Sequence, residues 1–399
     1  RIFYARRPIL ETAVKTFLAN QSFQADFKHF EKSNRLWLDD FAEFMAIKEH
    51  FGNQALQKWD DKKAVARDPS ALEKYRILLA EQIQYFKVTQ YFFFKQWTEL
   101  KNYANQKGIQ IIGDMPIYVA ADSVEVWTKP ELFQLDEERN PLFVAGVPAD
   151  QFSATGQLWG NPLYAWEEHK KQGYAWWIHR IEESFKIYDV LRIDHFKGFS
   201  DYWQVDGKAE VAKDGSWQPG PGYDLFKAVK EQLGDLPIIA EDLGNIDDKA
   251  RKLLTDCNYP GMKILQFGFE DVSGESLDSP HYCIPHSIVY TGTHDNDVTN
   301  GWYNSLTEQQ QQYINDYTHR HEDESICQAM IRQLFATVSN TAIATMQDVL
   351  DLPASSRMNV PSTIGGNWQW RMQQSDLTQD KKDFLEKMTT LYQRANQEK

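Results

Sequence analysis

Three short apolar runs, each followed at once by charged residues, constrain the fold of this chain more than any other feature. The runs are residues 190–193, 236–240 and 288–293. The acidic residues that follow them are Asp194, Glu241 and Asp295. Continuous apolar runs of this length are typical of strands buried on both faces of a parallel sheet. Since α/β folds build active sites at the carboxyl ends of such strands, we expect three carboxylates to meet at one rim.

The rest of the chain extends this pattern of strands and helices. Residues 1–106 carry apolar residues at helical spacing almost throughout. The run from Ser70 to Gln106 is expected to form one long helix. From residue 109 onward six predicted strands alternate with helices, near residues 109, 190, 238, 263, 288 and 342. The fourth is expected over residues 262–267 and the last over 341–346, with a helical segment over about 307–336 between the last two strands. This order predicts an α/β protein, either a doubly wound sheet or a (β/α)8 TIM barrel. A barrel closes with eight strands, so two strands are unaccounted for: either they lie unrecognised within the chain or they precede Arg1.

The predicted organisation has two parts. Residues 1–106 are expected to form a helical insertion subdomain, and residues 107–399 a catalytic barrel. Two irregular insertions are expected within the barrel, at about residues 120–162 and 197–222, because glycine, proline and aromatic residues are dense there.

Composition argues against several classes of partner. The formal net charge of −14 disfavours nucleic acid and anionic lipid. No stretch approaches the ~18 apolar residues of a membrane span. The three cysteines are too few and too scattered for a disulfide framework or a zinc cluster, so a cytoplasmic location is expected. No phosphate-binding glycine loop or calcium-binding pattern occurs, so neither a metal nor an organic cofactor is expected.

The charged residues after the strands fit the transfer of a glycosyl group. That chemistry needs a nucleophile and an acid/base on either side of the anomeric carbon, ~5–5.5 Å apart in a retaining enzyme, and Asp194 and Glu241 fit the pair. Arg192 lies two residues before Asp194, so an extended strand projects both to one side, where a guanidinium favours the ionised carboxylate. Asp295 would favour the protonated form of Glu241, and with His294 it could hold sugar hydroxyls.

Each acidic residue also has a purely structural explanation. Acidic side chains after strands commonly cap the next helix. For any one position this explanation is as good as a catalytic one. Three such positions accompanied by Arg192 and His294 favour an active site.

Longer motifs around these residues resemble those of the amylomaltases, also called disproportionating enzymes or 4-α-glucanotransferases, of the α-amylase clan. The resemblance runs in family order from Ile109 to Arg371. The matching segments are residues 113–119, 146–152, 156–162, 191–198, 240–244, 293–297, 357–361 and 366–371. The two loop segments between 146 and 162 and the two after 357 separate this family from ordinary amylases.

The resemblance implies a role for each matching residue. Asp194 matches the family's nucleophile, Glu241 its acid/base and Asp295 its transition-state stabiliser. The positions that match sugar-binding residues are Arg192, His294, Asp114, Asp150, Gln157, Trp159, Asn161 and Asn359. The implied activity is transfer of α-1,4-glucan segments between maltooligosaccharides through a covalent glycosyl-Asp intermediate, with no cofactor. Members of the family begin with further residues that supply the first two barrel strands. The resemblance therefore implies that these two strands are missing from this chain and that residues 107–399 supply strands 3 to 8.

Two other functions fit parts of the pattern. One is a hydrolase or phosphorylase of the same clan, which maltotriose would distinguish by yielding no ladder of longer chains. The other is a glucan-binding module without turnover. The three intact carboxylates favour an enzyme over that module.

Overall fold

The computed structural model describes residues 2–20, 24–149, 155–244 and 246–395. The chain divides into two compact units, Arg1–Pro237 and Ile238–Lys399. The helices of the first unit are α1 (Ile2–Ala19), α2 (Gln24–Ser33), α3 (Arg35–His50), α4 (Lys62–Val65), α5 (Pro69–Leu78), α6 (Ala80–Gln106), α7 (Val124–Thr128), α8 (Trp166–Lys171), α9 (Ala175–Ile187) and α10 (Tyr223–Leu233). Its strands are β1 (Ile112–Met115), β2 (Phe143–Val147), β3 (Gln157–Pro162), β4 (Val190–Ile193), β5 (Asp201–Asp206) and β6 (Ser216–Pro219).

Helices α1 to α6 account for the helical character predicted for residues 1–106, and aromatic side chains pack between them. The ring of Tyr91 on α6 lies 5.6 Å from Phe27 and 5.5 Å from Phe17. A single helix was expected from Ser70 to residue 106, but the structure breaks it at Leu79. The side chain of Asp68 accepts from the amides of Ser70 and Ala71, so α5 begins with an N-cap.

Strands β1 and β4 are parallel neighbours, as the α/β prediction requires. Their register sets Asp114 opposite Arg192 and Met115 opposite Ile193. The strand expected to start at Ile109 begins at Ile112 instead, so that Asp114 lies inside it. Two charged side chains are therefore carried on adjacent strands at the same level.

The regions expected to be irregular contain a second sheet. It is antiparallel with the order β3-β2-β5-β6. Both expected insertions contribute strands to it, β2 and β3 from the first and β5 and β6 from the second. Trp203 pairs with Trp217 across β5 and β6, and Val144 and Val205 are buried beneath the sheet. These four strands are short and contain glycine and polar residues. They lack the continuous apolar run that indicated the parallel strands, so they could not be predicted from the sequence pattern.

The strands of the second unit are β7 (Ile238–Ala240), β8 (Gly261–Ile264), β9 (Ser287–Tyr290) and β10 (Thr341–Ile343). Strands β8 to β10 form a parallel sheet in the order β10-β9-β8. Its helices are α11 (Asp248–Cys257), α12 (Leu265–Glu270), α13 (Thr299–Ser305), α14 (Glu308–Thr318), α15 (Ile326–Ala336), α16 (Met346–Val349) and α17 (Gln379–Leu391). Val289 on β9 packs in a buried cluster with Leu265, Phe269, Met330 and Leu334.

Three predicted boundaries in this unit are wrong. The strand expected to run from Met262 to Phe267 ends at Ile264, where α12 takes over the apolar residues. The last strand likewise ends at Ile343. The helix expected from Thr307 to residue 336 is two helices, because Thr307 and Ser325 each begin a helix with a capping box. Across the described ranges no helix is long and apolar enough to cross a membrane.

Candidate active site

An arginine between two aspartates forms the polar end of the β1–β4 pair. The Nη1 atom of Arg192 donates to Asp114 Oδ1 at 2.6 Å and to Asp194 Oδ1 at 3.0 Å. The backbone amide of Asp194 donates to the Met115 carbonyl at 3.0 Å, so this residue continues the ladder just past β4. Parallel pairing thus brings Asp114, predicted only as a sugar-binding position, next to Arg192 and Asp194.

The burial of these groups is unequal. The side chain of Arg192 is 8% exposed, whereas those of Asp114 and Asp194 are 42% and 40% exposed. The guanidinium is therefore buried in the protein, while both carboxylates are partly exposed and accessible to a ligand. Charge-assisted bonds of this kind are short and directional, so Arg192 holds each carboxylate in a defined orientation.

His195 is a further residue at this strand end, and it was not among the predicted site residues. Its backbone is left-handed, with φ of 47°, a conformation that costs a non-glycine residue energy. Its ring meets Trp159 edge to face, with centroids 4.8 Å apart. Burial lowers the pKa of His195 to about 4, so its imidazole is neutral near pH 7.

Strand β3 carries the predicted acceptor-side residues of the first unit. Asn161 Nδ2 donates to the Val119 carbonyl at 2.9 Å, which fixes β3 to the segment after β1. Trp159 Nε1 donates to Gln157 Oε1 at 3.4 Å, and the Trp159 ring also approaches Tyr118 at 6.3 Å. These contacts keep the Trp159 side chain half-buried. Asp150, which belongs to the same predicted loop, lies outside the described residues.

In the second unit, Glu241 directly follows β7 and its neighbour Asp242 anchors the turn. Asp242 Oδ1 accepts from the Met262 amide at 2.6 Å. Burial raises the pKa of the Asp242 carboxyl. A methyl group at Gly261 would come within 2.4 Å of that carboxylate, so a larger residue there would force the Asp242 side chain to shift. The residue after Glu241 is thereby locked to β8.

Asp295 lies in the turn after β9, and side chains from the C-terminal loop hold it. Asn359 Nδ2 donates to Asp295 Oδ1 at 2.6 Å, and Arg357 Nη2 donates to the Asp295 backbone carbonyl at 2.6 Å. His294 Nε2 lies 3.4 Å from Asp295 Oδ2. The ring of Trp368, which is 60% exposed, lies 5.1 Å from the His294 ring.

The second unit therefore brings together three predicted site residues, His294, Asp295 and Asn359. Arg357 and Trp368 also belong to this cluster, although no role was predicted for them. Both lie in the segments that matched the family motifs, which was the signal available in the sequence. Their contacts with Asp295 and His294 arise from tertiary packing, which a motif does not report.

One group of side chains within the described ranges could hold a metal ion. It consists of His179, Glu182 and Glu183 on α9, whose ligand atoms all lie within 4.8 Å of one another. Lys186 already forms an ion pair with Glu183. None of these residues belongs to the strand ends that carry the predicted site.

The fold and the acidic strand ends define a class of protein. The chain has the α/β fold of an amylomaltase: it superimposes on the amylomaltase from Streptococcus agalactiae in complex with acarbose with a TM-score of 0.97. That structure is 58% identical in sequence, and the match covers 99% of this chain and 79% of the other. The amylomaltase from Corynebacterium glutamicum, 16% identical with a TM-score of 0.65 over 88% of this chain and 52% of its own, shares the fold.

The chain belongs to the 4-alpha-glucanotransferase family, and it is an enzyme of carbohydrate metabolism. The family model described as 4-alpha-glucanotransferase matches residues 1–378. The 4-alpha-glucanotransferase of Streptococcus pneumoniae (serotype 4) is 52% identical over 398 residues, which is 100% of this chain and 78% of the relative. That of Clostridium butyricum is 41% identical over 99% of this chain and 80% of its own.

Proposed function

We propose that this protein transfers α-1,4-glucan segments between maltooligosaccharides by a retaining double displacement. The observation that carries the proposal is the contact of Arg192 with both Asp114 and Asp194. An arginine of low exposure beside an exposed aspartate suits a nucleophile, since its charge-assisted hydrogen bond orients the carboxylate. The family and the acarbose-bound relative supply the substrate class.

In the first half of the reaction, a carboxylate oxygen of Asp194 attacks the anomeric carbon of the donor. The bond to the departing O4 breaks, and that oxygen takes a proton from Glu241. The product is a covalent glycosyl-Asp194 ester and a shortened glucan. This mechanism requires the two carboxyl groups to lie about 5–5.5 Å apart.

In the second half, the 4-hydroxyl of an acceptor glucan gives its proton to the Glu241 carboxylate. The acceptor oxygen displaces Asp194 from the anomeric carbon, so two inversions restore the original configuration. Asp295 acts without forming a bond, holding hydroxyls as the ring distorts. The contacts of Asn359 and Arg357 support this role, because they fix Asp295 from its side chain and its carbonyl.

We assign the other predicted positions to sugar binding. Arg192, His294 and Asp114 would contact the donor sugar, and Asn359 would act through Asp295. The acceptor-side positions are Asp150, Gln157, Trp159 and Asn161. Transfer competes with hydrolysis, and a sugar stacked on Trp159 would exclude water from the intermediate.

We further propose that β1, β4, β7, β8, β9 and β10 are strands 3 to 8 of a (β/α)8 barrel, with residues 1–106 as a helical insertion and residues 107–399 as the barrel. The order of strands and helices supports this proposal. The three cysteines are free thiols, which suits the reducing cytoplasm that we propose as its location. No cofactor enters the mechanism.

The test is incubation of the protein with maltotriose, with products resolved by chain length. We expect glucose together with a ladder of longer maltooligosaccharides, retained α configuration, and loss of both in Asp194→Asn and Glu241→Gln. A covalent adduct trapped with a fluorinated glycosyl donor should map to Asp194. Glucose and maltose without longer chains would instead identify a hydrolase. An Asp194→Asn protein that retains the ladder would exclude Asp194 as the nucleophile.

A further inference from the structure

A second concave site lies in the first unit, and none of the proposed catalytic or sugar-binding residues lines it. It is a cavity of about 600 Å³ between α3, α6, α7 and α9. Sites for small organic ligands measure about 300–1,000 Å³, so the cavity is of the right size for one. The function described above makes no use of it.

Aromatic rings form much of its lining. They are Trp37, Phe93, Phe94 and Trp176. Phe93 is 48% exposed and is stacked on Trp97, with centroids 6.0 Å apart and planes 16° apart. Leu36, at the rim, is 84% exposed. Large apolar side chains that stay exposed together in a concave surface mark an interaction site.

Polar groups are interleaved with these rings. The charged side chains of the lining are Asp40, Glu125 and Glu183 against Lys129 and Arg180. This balance gives no excess of positive charge, which disfavours a phosphorylated or otherwise anionic ligand. An apolar helix would also fit poorly, because it would bury these groups without replacing their hydrogen bonds to water.

A ligand with flat apolar faces and a rim of hydroxyl groups satisfies both parts of the lining. Sugar rings have that chemistry, since their C–H faces pack on aromatic rings while their hydroxyls accept and donate hydrogen bonds. His179 Nδ1 lies 3.8 Å from carboxylate oxygens of both Glu182 and Glu183, so donors and acceptors converge on this side of the cavity.

We propose that this cavity is a second binding site for α-1,4-glucan. One or more glucosyl units stack on Phe93 and Trp176, and their hydroxyls bond to His179, Glu125 and Glu183. The identity of the sugar rests on the proposed function, because a transferase acting on glucan chains meets that polymer as its substrate.

The site has a structural link to the proposed donor residues. Arg180 lies in the cavity wall, with its guanidinium 5.2 Å from the Trp176 ring. It donates to the carbonyls of Pro116 at 2.7 Å and Ile117 at 3.2 Å, just beyond Asp114. A long glucan held here keeps its remaining units near that strand end at a raised effective concentration. Maltotriose is too short to gain from this effect.

The test measures maltoheptaose binding by calorimetry in the Asp194→Asn protein, where turnover is removed. We expect two sites per chain and only one after Phe93→Ala is added, with the second affinity about five- to tenfold weaker or lost. Tyr103→Ala is the matched control, because Tyr103 is a 62% exposed aromatic residue on the same helix that does not line the cavity. His179→Ala tests independently whether the polar side chains of the cavity contribute to binding.

The outcomes separate the second site from the proposed function. If calorimetry finds a single maltoheptaose site and neither Phe93→Ala nor His179→Ala changes it, the second site is overturned and the catalytic proposal stands. If calorimetry finds a single site and Phe93→Ala abolishes it, the result supports binding in the cavity and counts against binding at the catalytic residues.

A kinetic experiment tests the same site in the protein with Asp194 intact. Phe93→Ala should raise KM for long amylose about fivefold and leave maltotriose kinetics unchanged. Equal changes for both substrates would contradict a site that recognises long chains.

Discussion

Replacing Arg192 with methionine removes a guanidinium that contacts both Asp114 and Asp194, while it leaves similar apolar volume. If these contacts orient the nucleophile, the loss falls on the transition state more than on folding. A hydrogen bond to a charged group is worth about 1.5–3 kcal/mol, which corresponds to a decrease of about 10- to 150-fold in kcat/KM. The two carboxylates are 40% and 42% exposed, so solvent screens them and the folding cost is about 1 kcal/mol.

The assay is the initial rate of glucose release from maltotriose, paired with a thermal unfolding curve for each variant. Arg192→Lys is the informative control, since it keeps the charge but cannot present the planar guanidinium to two acceptors. We expect its activity to lie between those of the parent and the methionine variant. A folded Arg192→Met protein with kcat/KM within threefold of the parent would refute the orienting role.

Three further changes test other parts of the site. Asn359→Ala removes a 2.6 Å donor from Asp295, so kcat should fall about 10- to 100-fold with little change in melting temperature; an unchanged kcat would remove Asn359 from the mechanism. Trp159→Ala should raise the ratio of hydrolysis to transfer, measured as reducing ends formed per ladder product, and an equal ratio would contradict the water-excluding role. Gly261→Ala places a methyl 2.4 Å from the Asp242 carboxylate and should lower both the melting temperature and the activity; a variant as stable as the parent would show that the turn can relax.

Strands β4, β7 and β9 were predictable from the sequence because they are buried almost throughout, whereas β1 alternates between exposed and buried residues. Residues 190–193, 238–240 and 288–290 are strands, as their apolar runs predicted. The acidic residues after them could be identified for the same reason, since a charged side chain ends a buried run abruptly. The contact of Arg192 with Asp194 also followed from spacing alone.

The remaining features depend on information that the pattern lacks. The antiparallel sheet of β2, β3, β5 and β6 pairs residues that are distant in the sequence, such as Phe143 with Asp206. The role of Arg357 was hidden for a similar reason: its guanidinium reaches the carbonyl of Asp295, 62 residues away. Local periodicity reports burial along one element, whereas such contacts depend on how loops pack on each other.

A buried histidine in the aromatic cluster after β3 should make the stability of the fold depend on pH. His169 on α8 is 1% exposed, its ring lies 5.3 Å from Tyr164, and Nε2 donates to the Leu132 carbonyl at 3.2 Å. Burial lowers the pKa of His169 to about 4 from an ordinary 6.5. Between pH 4 and pH 6.5 the His169 imidazole is therefore protonated in the unfolded chain and neutral in the folded chain. The histidine therefore costs no stability above pH 6.5, and it destabilises the fold progressively as pH falls toward 4.

At pH 5 the difference in proton binding by His169 amounts to about 2 kcal/mol of lost unfolding free energy. His169→Gln keeps a donor for Leu132 and removes the titration, so urea unfolding should show a shallower decline from pH 7 to pH 5 in this variant. The exposed His29→Gln serves as the control, and it should decline like the parent. Parallel curves for the parent and His169→Gln would mean that His169 binds a proton as readily in the folded protein as in the unfolded chain. In that case the segment that follows Trp159 and Asn161 would be less rigid than its buried contacts indicate.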